Sequence, residues 1–106
     1  MSADLRSMAE VDRLIHEPSR LMIVTILYVA TRADFLYLQR ETGLTKGNLS
    51  AHLTKLEEAG YVHIEKTYRG KVPQTLCSLT PAGRIAFETY RIQLKNIVES
   101  IHKETE

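Results

Sequence analysis

The chain has 106 residues, 43% of them apolar and 25% charged, which fits one compact domain and leaves no material for a second core. Fourteen Lys and Arg against thirteen Asp and Glu leave a net charge of +1, which excludes a histone-like basic tail and an acidic disordered segment, so an anionic partner must be met by a local patch. The single cysteine, Cys77, can form no intramolecular disulfide and cannot build a multi-thiolate metal centre within one chain, as suits a reducing cytosol.

Leu5, Met8, Val11 or Asp12, and Ile15 recur at spacings of three and four, which predicts an amphipathic helix ending at His16-Glu17. Pro18 suits the first turn of a second helix, reaching about Thr31, where its missing N–H costs nothing. Leu21, Met22, Ile23, Val24, Ile26, Leu27 and Val29 make that helix apolar on nearly every side, a central core helix. Its apolar run is about half of the ~20 residues a bilayer span needs, and the N-terminus lacks a charged-then-apolar signal layout. A cytoplasmic chain with no membrane partner is expected.

Asp34 suits the N-cap of a third helix, Phe35 to Thr42, ended by Gly43, and Thr45 can cap a fourth after two connecting residues. Leu49, Leu53 and Leu56 put one stripe of the fourth helix inside, before Gly60 stops it. Tyr61 to Tyr68 alternates in strand fashion, Arg69-Gly70-Lys71 offers a turn, and Thr75 to Leu79 resumes extended character, which together predict a β-hairpin. Thr80-Pro81 opens a final helix running toward Lys103, about 35 Å long at about 1.5 Å per residue. Along it Phe87, Tyr90, Leu94, Ile97 and Ile101 repeat at coiled-coil spacing. Such a seam wants a partner, so these five with Leu5, Met8 and Ile15 are the expected interface of a homodimer. The alternative is that the seam folds back on Met8 and Ile15 of its own chain.

Two short helices joined through a glycine turn and followed by a hairpin with a basic tip make a winged helix-turn-helix. The fold class expected is mainly α with a small β-hairpin wing (α+β): one domain, 1–106, with an N-terminal helix (1–17), a winged core (18–80) and a C-terminal dimerisation helix (81–104). In such a unit the second helix enters the major groove of DNA and reads base edges with small polar side chains. Thr45, Lys46, Asn48, Ser50, Ala51, His52, Thr54 and Lys55 are the candidates there: Asn can pair with adenine, Ser and Thr bond bases or phosphate, and Lys neutralises phosphate. Lys66, Arg69 and Lys71 are the candidate wing contacts, on an adjacent minor groove or the backbone. Residues 45–74 hold five Lys and Arg against three Glu, a small excess that favours two copies on a pseudo-palindromic operator in double-stranded DNA.

Gly43-Leu44-Thr45-Lys46-Gly47-Asn48-Leu49-Ser50-Ala51-His52-Leu53-Thr54-Lys55-Leu56-Glu57-Glu58-Ala59-Gly60-Tyr61-Val62 resembles the recognition-helix signature of bacterial and archaeal winged-helix regulators of the ArsR and MarR type. The Ser50-x-His52-Leu53-x-x-Leu56 part leans toward ArsR, and Thr75 to Arg84 is similar to the strand and helix start after the wing in MarR-like and small archaeal regulators. The likeness spans about Ala33 to Tyr90. It implies a homodimeric transcription factor with Ser50, His52 and their neighbours at the DNA and the terminal helices at the dimer interface. Metal-sensing members carry a thiolate pair near the first helix of the motif, or His and acidic ligands on the last helix. Here Phe35 to Thr42 has no cysteine and His102-Lys103-Glu104 does not repeat the ligand spacing, so no metal and no cofactor are expected.

Blander readings stand beside these. His52 is either a half-buried structural histidine or a groove contact, and Cys77 either a small core filler or a redox switch. No phosphate-cradling glycine loop, His-Glu-x-x-His or triad spacing occurs, so no catalytic residue is assigned and an enzyme is not expected. The rival functional classes are a winged helix that docks proteins and a regulator answering an unknown small-molecule effector or oxidant.

Overall fold

The computed structural model describes residues 5–105. In chain order they form a 3-10 helix (Leu5–Glu10), α1 (Pro18–Ala30), β1 (Arg32–Asp34), α2 (Phe35–Thr42), α3 (Lys46–Glu58), β2 (Val62–Arg69), β3 (Val72–Leu79) and α4 (Pro81–Thr105). The fold is mainly helical α+β, a winged helix in which the sheet is antiparallel with strand order β1-β3-β2.

The helix boundaries follow from their caps. The Asp34 carboxylate accepts from the Tyr37 N–H at 2.7 Å and the Thr45 hydroxyl from the Asn48 N–H at 3.1 Å, each satisfying an orphan donor of a first turn. Gly43 closes α2 at φ 71°, a left-handed conformation that glycine adopts without steric cost. The Thr80 hydroxyl accepts from the Gly83 N–H at 3.0 Å and starts α4. Gly83 lies hard against the backbone of Tyr61, with no room for a Cβ, so the start of α4 sits directly on the turn between α3 and β2.

One core joins α1 to α4 and the three strands, with Ala33 of β1 and Phe87 and Tyr90 of α4 among its members. Ile23, Val24 and Leu27 of α1, Leu38 of α2, Leu49, Leu53 and Leu56 of α3, Val62 of β2 and Cys77 of β3 are buried together. Each such aliphatic side chain contributes roughly 1.5–3 kcal/mol of burial.

Three expectations are corrected. The segment before Pro18 is not one amphipathic helix: a 3-10 turn ends at Glu10, and the Asp12 carboxylate then accepts from the N–H groups of Leu14 and Ile15 at 2.9 and 3.2 Å. A short acid that bonds its own backbone competes with helix, and Pro18 keeps Glu17 extended at φ −135°, ψ 130°. Second, the strand after the turn begins at Val72, not Thr75. Pro73 is tolerated because β1 pairs only with Leu76–Ser78, which leaves the start of β3 an edge. Third, β1 is a strand the sequence reading lacked; three residues are too few to show alternation.

The expected interface is also redrawn. Ile15, Phe87 and Tyr90 are 0%, 6% and 2% exposed, inside the chain's own core, where α1 and the segment before it meet α4. They therefore pack within the chain's own core. Leu94 and Ile97 are half-buried against the same core, while Met8 and Ile101 are exposed. Leu5 opens the 3-10 helix, and its side chain lies outside those described.

Candidate nucleic-acid interface

The inward stripe of α3 fixes which residues face out. With Leu49, Leu53 and Leu56 buried, a period of about 3.6 residues turns Gly47, Ala51 and Thr54 away from the core. Ser50 lies to one side of that front and Lys55 and Asn48 to the other. Thr45, Lys46, Asn48, Ser50, Ala51, Thr54 and Lys55 are all exposed; His52 alone among the candidates on this helix is half-buried. The front is short and polar, without an aromatic or a long apolar side chain, and so is shaped to enter a groove about 12 Å wide.

The wing stands beside it. β2 and β3 pair from Val62↔Leu79 to Arg69↔Val72, so Arg69 and Lys71 sit at the tip, and Lys66 lies nearer the root, opposite Thr75. All three basic residues are exposed. Between α3 and the wing runs a groove of about 760 Å³ lined by Lys46, Ser50 and Thr54 on one side and Lys66, Gln74 and Thr75 on the other. It brings together Lys46, Ser50, Thr54 and Lys66 of the expected set; Thr45, Asn48, Ala51, His52, Lys55, Arg69 and Lys71 lie outside it. Asp34 and Glu57 also line it, and Gln74 donates to Asp34 at 3.3 Å. Two carboxylates there disfavour phosphate inside the groove, so its lysines are suited to engage a backbone passing outside.

His52 points toward the start of α1. Its Nδ1 lies 3.1 Å from an Arg20 guanidinium nitrogen and 3.8 Å from Glu17 Oε2. Glu17 caps α1, accepting from the Arg20 N–H at 2.8 Å. Burial alone would raise its carboxyl, but the N–H groups of Arg20 and Ser19 and the positive charge of Arg20 hold it below the usual carboxylate range. Arg20 and Glu17 were absent from the sequence-derived site, since no local pattern connects positions 20 and 52.

Cys77 is fully buried on the central strand. Burial first, then the nearby charges of Glu57 and Asp34, push its thiol up to about 11, the opposite of what a reactive thiolate needs. Among the described residues no cluster of three or more His, Cys, Asp or Glu could hold a metal ion, and no helix is long and apolar enough to cross a membrane.

A helix with a small polar front, braced by a preceding helix across a glycine turn and flanked by a basic β-hairpin, defines the winged helix-turn-helix class of DNA-binding proteins. The chain belongs to the winged helix DNA-binding domain family, whose model matches residues 19–98. It is 34% identical over 90 residues to an uncharacterized protein of Methanocaldococcus jannaschii, covering 84% of this chain and 97% of that one. Its fold is similar to a transcriptional regulator homologue of Pyrococcus horikoshii, with TM-score 0.86 and 26% identity over 92% of this chain and 98% of that chain. A MarR-family regulator from Enterococcus faecalis shares the fold with TM-score 0.73 and 22% identity, over 99% of this chain and 94% of that one. The family and fold are those of transcriptional regulators, not of enzymes.

Proposed function

We propose that the chain acts as a homodimeric, sequence-specific transcriptional regulator. α3 enters the major groove, where Asn48, Ser50, Thr54 and His52 reach bases and Thr45, Lys46 and Lys55 grip phosphate beside Ala51. Lys66, Arg69 and Lys71 of the wing hold the adjacent minor groove or backbone. The observation that carries this reading is the exposed, small, hydrophilic front of α3 set on three buried leucines.

Dimerisation is supported by the far half of α4. Val98 and Ile101 are exposed and continue the stripe that Leu94 and Ile97 begin, with Met8 exposed on the 3-10 helix that packs on α4. Contiguous apolar surface of this kind is usually covered by a partner. Two copies place two recognition helices on half-sites about 34–36 Å apart.

The test is selection of genomic fragments by the purified protein, with sedimentation of the free and bound forms. Selected fragments are expected to share an inverted repeat and to bind a dimer. Their affinity should fall by about 0.9 log unit per log unit of salt for each phosphate neutralised. Affinity no better than for random DNA at every salt concentration removes the reading.

A further inference from the structure

The stretch from Asp12 to Arg20 ties three separate elements together. Tyr61, after α3, donates to Asp12 Oδ2 at 2.6 Å; His16 Nδ1 and the Tyr90 hydroxyl of α4 lie 2.7 Å apart; and Arg20 reaches His52 of α3. The third link concerns the recognition helix itself. Arg20 Nε donates to the Leu14 carbonyl at 2.6 Å while a terminal guanidinium nitrogen lies 3.1 Å from His52 Nδ1. One planar group thus spans the turn before α1 and a side chain of α3.

The chemistry of this contact is one-sided. A guanidinium carries donors only, so Nδ1 must accept, and an imidazole that accepts at Nδ1 is neutral with its proton on Nε2. Glu17 Oε2, at 3.8 Å, is too far from Nδ1 to share a hydrogen bond with it. Among the described residues no buried side-chain nitrogen or oxygen lacks a partner, and Nε2 meets no acceptor there, so it is open to solvent. The Arg20 side chain is only 11% exposed against 20% for His52, which makes Arg20 a poor phosphate ligand and a good brace.

We propose that Arg20 is a positioning residue for DNA reading: it holds His52 of α3 in the Nε2–H form, so that the recognition helix offers one outward donor to a major-groove acceptor, a purine N7 or a base carbonyl oxygen. This rests on the regulator reading above. Lysine cannot replace arginine here, because one ammonium cannot hold the Leu14 carbonyl and the imidazole in a fixed fork.

Nitrogen-15 NMR of the histidine rings in the unaltered full chain tests the first step without any variant. A neutral Nε2–H ring at His52 is expected; an Nδ1–H ring overturns the inference. Binding to selected fragments and their single-base variants then compares wild type, Arg20→Lys, Arg20→Met and His52→Ala, each checked by thermal melting. Both Arg20 variants should lose about tenfold in preference at one base pair. In the His52→Ala background the same changes should cost nothing further. Preference retained in Arg20→Lys, or losses that simply add to those of His52→Ala, overturns the positioning role while leaving the regulator reading intact. A wild type that prefers no fragment overturns both, and does so before any variant is compared.

Discussion

The winged core and the far half of α4 solve the problem of burying apolar surface in different ways. From Pro18 to Thr80 each helix is capped and the inward stripes of α1, α2 and α3 meet in one core, so Leu38, Leu49 and Leu56 reach zero exposure, while Val29, Leu36 and Tyr68 stand exposed outside it. Beyond Tyr90 the helix continues for some fifteen residues to Thr105, yet Ile92 is 60% and Val98 63% exposed. The molecule measures 60 Å along its long axis and 25 and 21 Å across, an elongation that a self-sufficient domain of this size does not need. One region has its core closed within the chain, and the other carries the apolar stripe that the proposed dimer would cover. Substitutions in the two should therefore fail differently.

The largest effect is expected in the core. Leu49→Ala and Leu53→Ala each remove a buried side chain from beneath the recognition helix and should lower unfolding free energy by roughly 2–5 kcal/mol in urea denaturation. Gly83→Ala belongs with them, because its Cβ has no space against the Tyr61 backbone, and overpacking typically costs about 1–3 kcal/mol. Unchanged denaturation midpoints for all three would mean that the winged core is not the closed unit described.

On the other side of the comparison, Val98→Asp combined with Ile101→Asp should leave the core folded by circular dichroism but shift sedimentation to a monomer. Loss of the second copy should then lower operator affinity about 10²-fold or more, since linked sites gain that much from effective concentration. A dimer that survives both charges would place its contact elsewhere and undo the contrast between the regions.

How much of this was legible in the sequence also divides along the same line. Asp34, Gly43, Thr45 and Thr80 act locally, through side chains and dihedrals that reach at most a few residues, so the helix ends around them were readable in one dimension. Leu49, Leu53 and Leu56 were readable because a helix repeats its own inward direction. The 3-4 spacing on α4 was equally visible, but spacing does not say whose surface is met: Phe87 and Tyr90 face Tyr28 and His16 of the same chain, and only beyond them does the stripe come free. Asp12, Arg20 and Glu17 were invisible as a group because their partners stand 32 to 49 positions away, and no periodicity encodes such contacts. β1 was invisible for the opposite reason, being shorter than any pattern.

Within the interface, the two kinds of contact should separate by specificity. Asn48→Ala is expected to relax base preference at one position by about 1–3 kcal/mol with little change in stability, whereas Lys71→Ala should weaken all sequences alike and reduce the salt slope by about one. Competition binding on selected and scrambled fragments distinguishes them. Uniform weakening by Asn48→Ala would move that residue from base reading to backbone contact.

The smallest effect tests the joint between the two regions. Tyr61 donates to Asp12, its carbonyl takes the Thr80 N–H at 3.0 Å, and its backbone abuts Gly83, so the turn after α3, the N-terminal segment and the start of α4 meet on this one residue. The hydrogen bond to the Asp12 carboxylate, then burial and the charge of Asp12, push the phenol from 10.0 up to about 12. A hydroxyl held protonated in the folded chain but free to ionise in the unfolded one stabilises the fold fully below pH ~10 and loses that contribution as pH rises toward ~12. Tyr61→Phe should therefore cost about 1 kcal/mol at neutral pH, the usual net worth of a part-exposed hydrogen bond. It should also flatten the fall in stability across that alkaline window. The flattening is incomplete, because burial raises the phenol of Tyr90 as well and its contribution remains. Denaturation midpoints of the two proteins compared between pH 8 and pH 12 read this directly: parallel curves would show that the Tyr61–Asp12 bond does not hold the joint, and converging curves that it does.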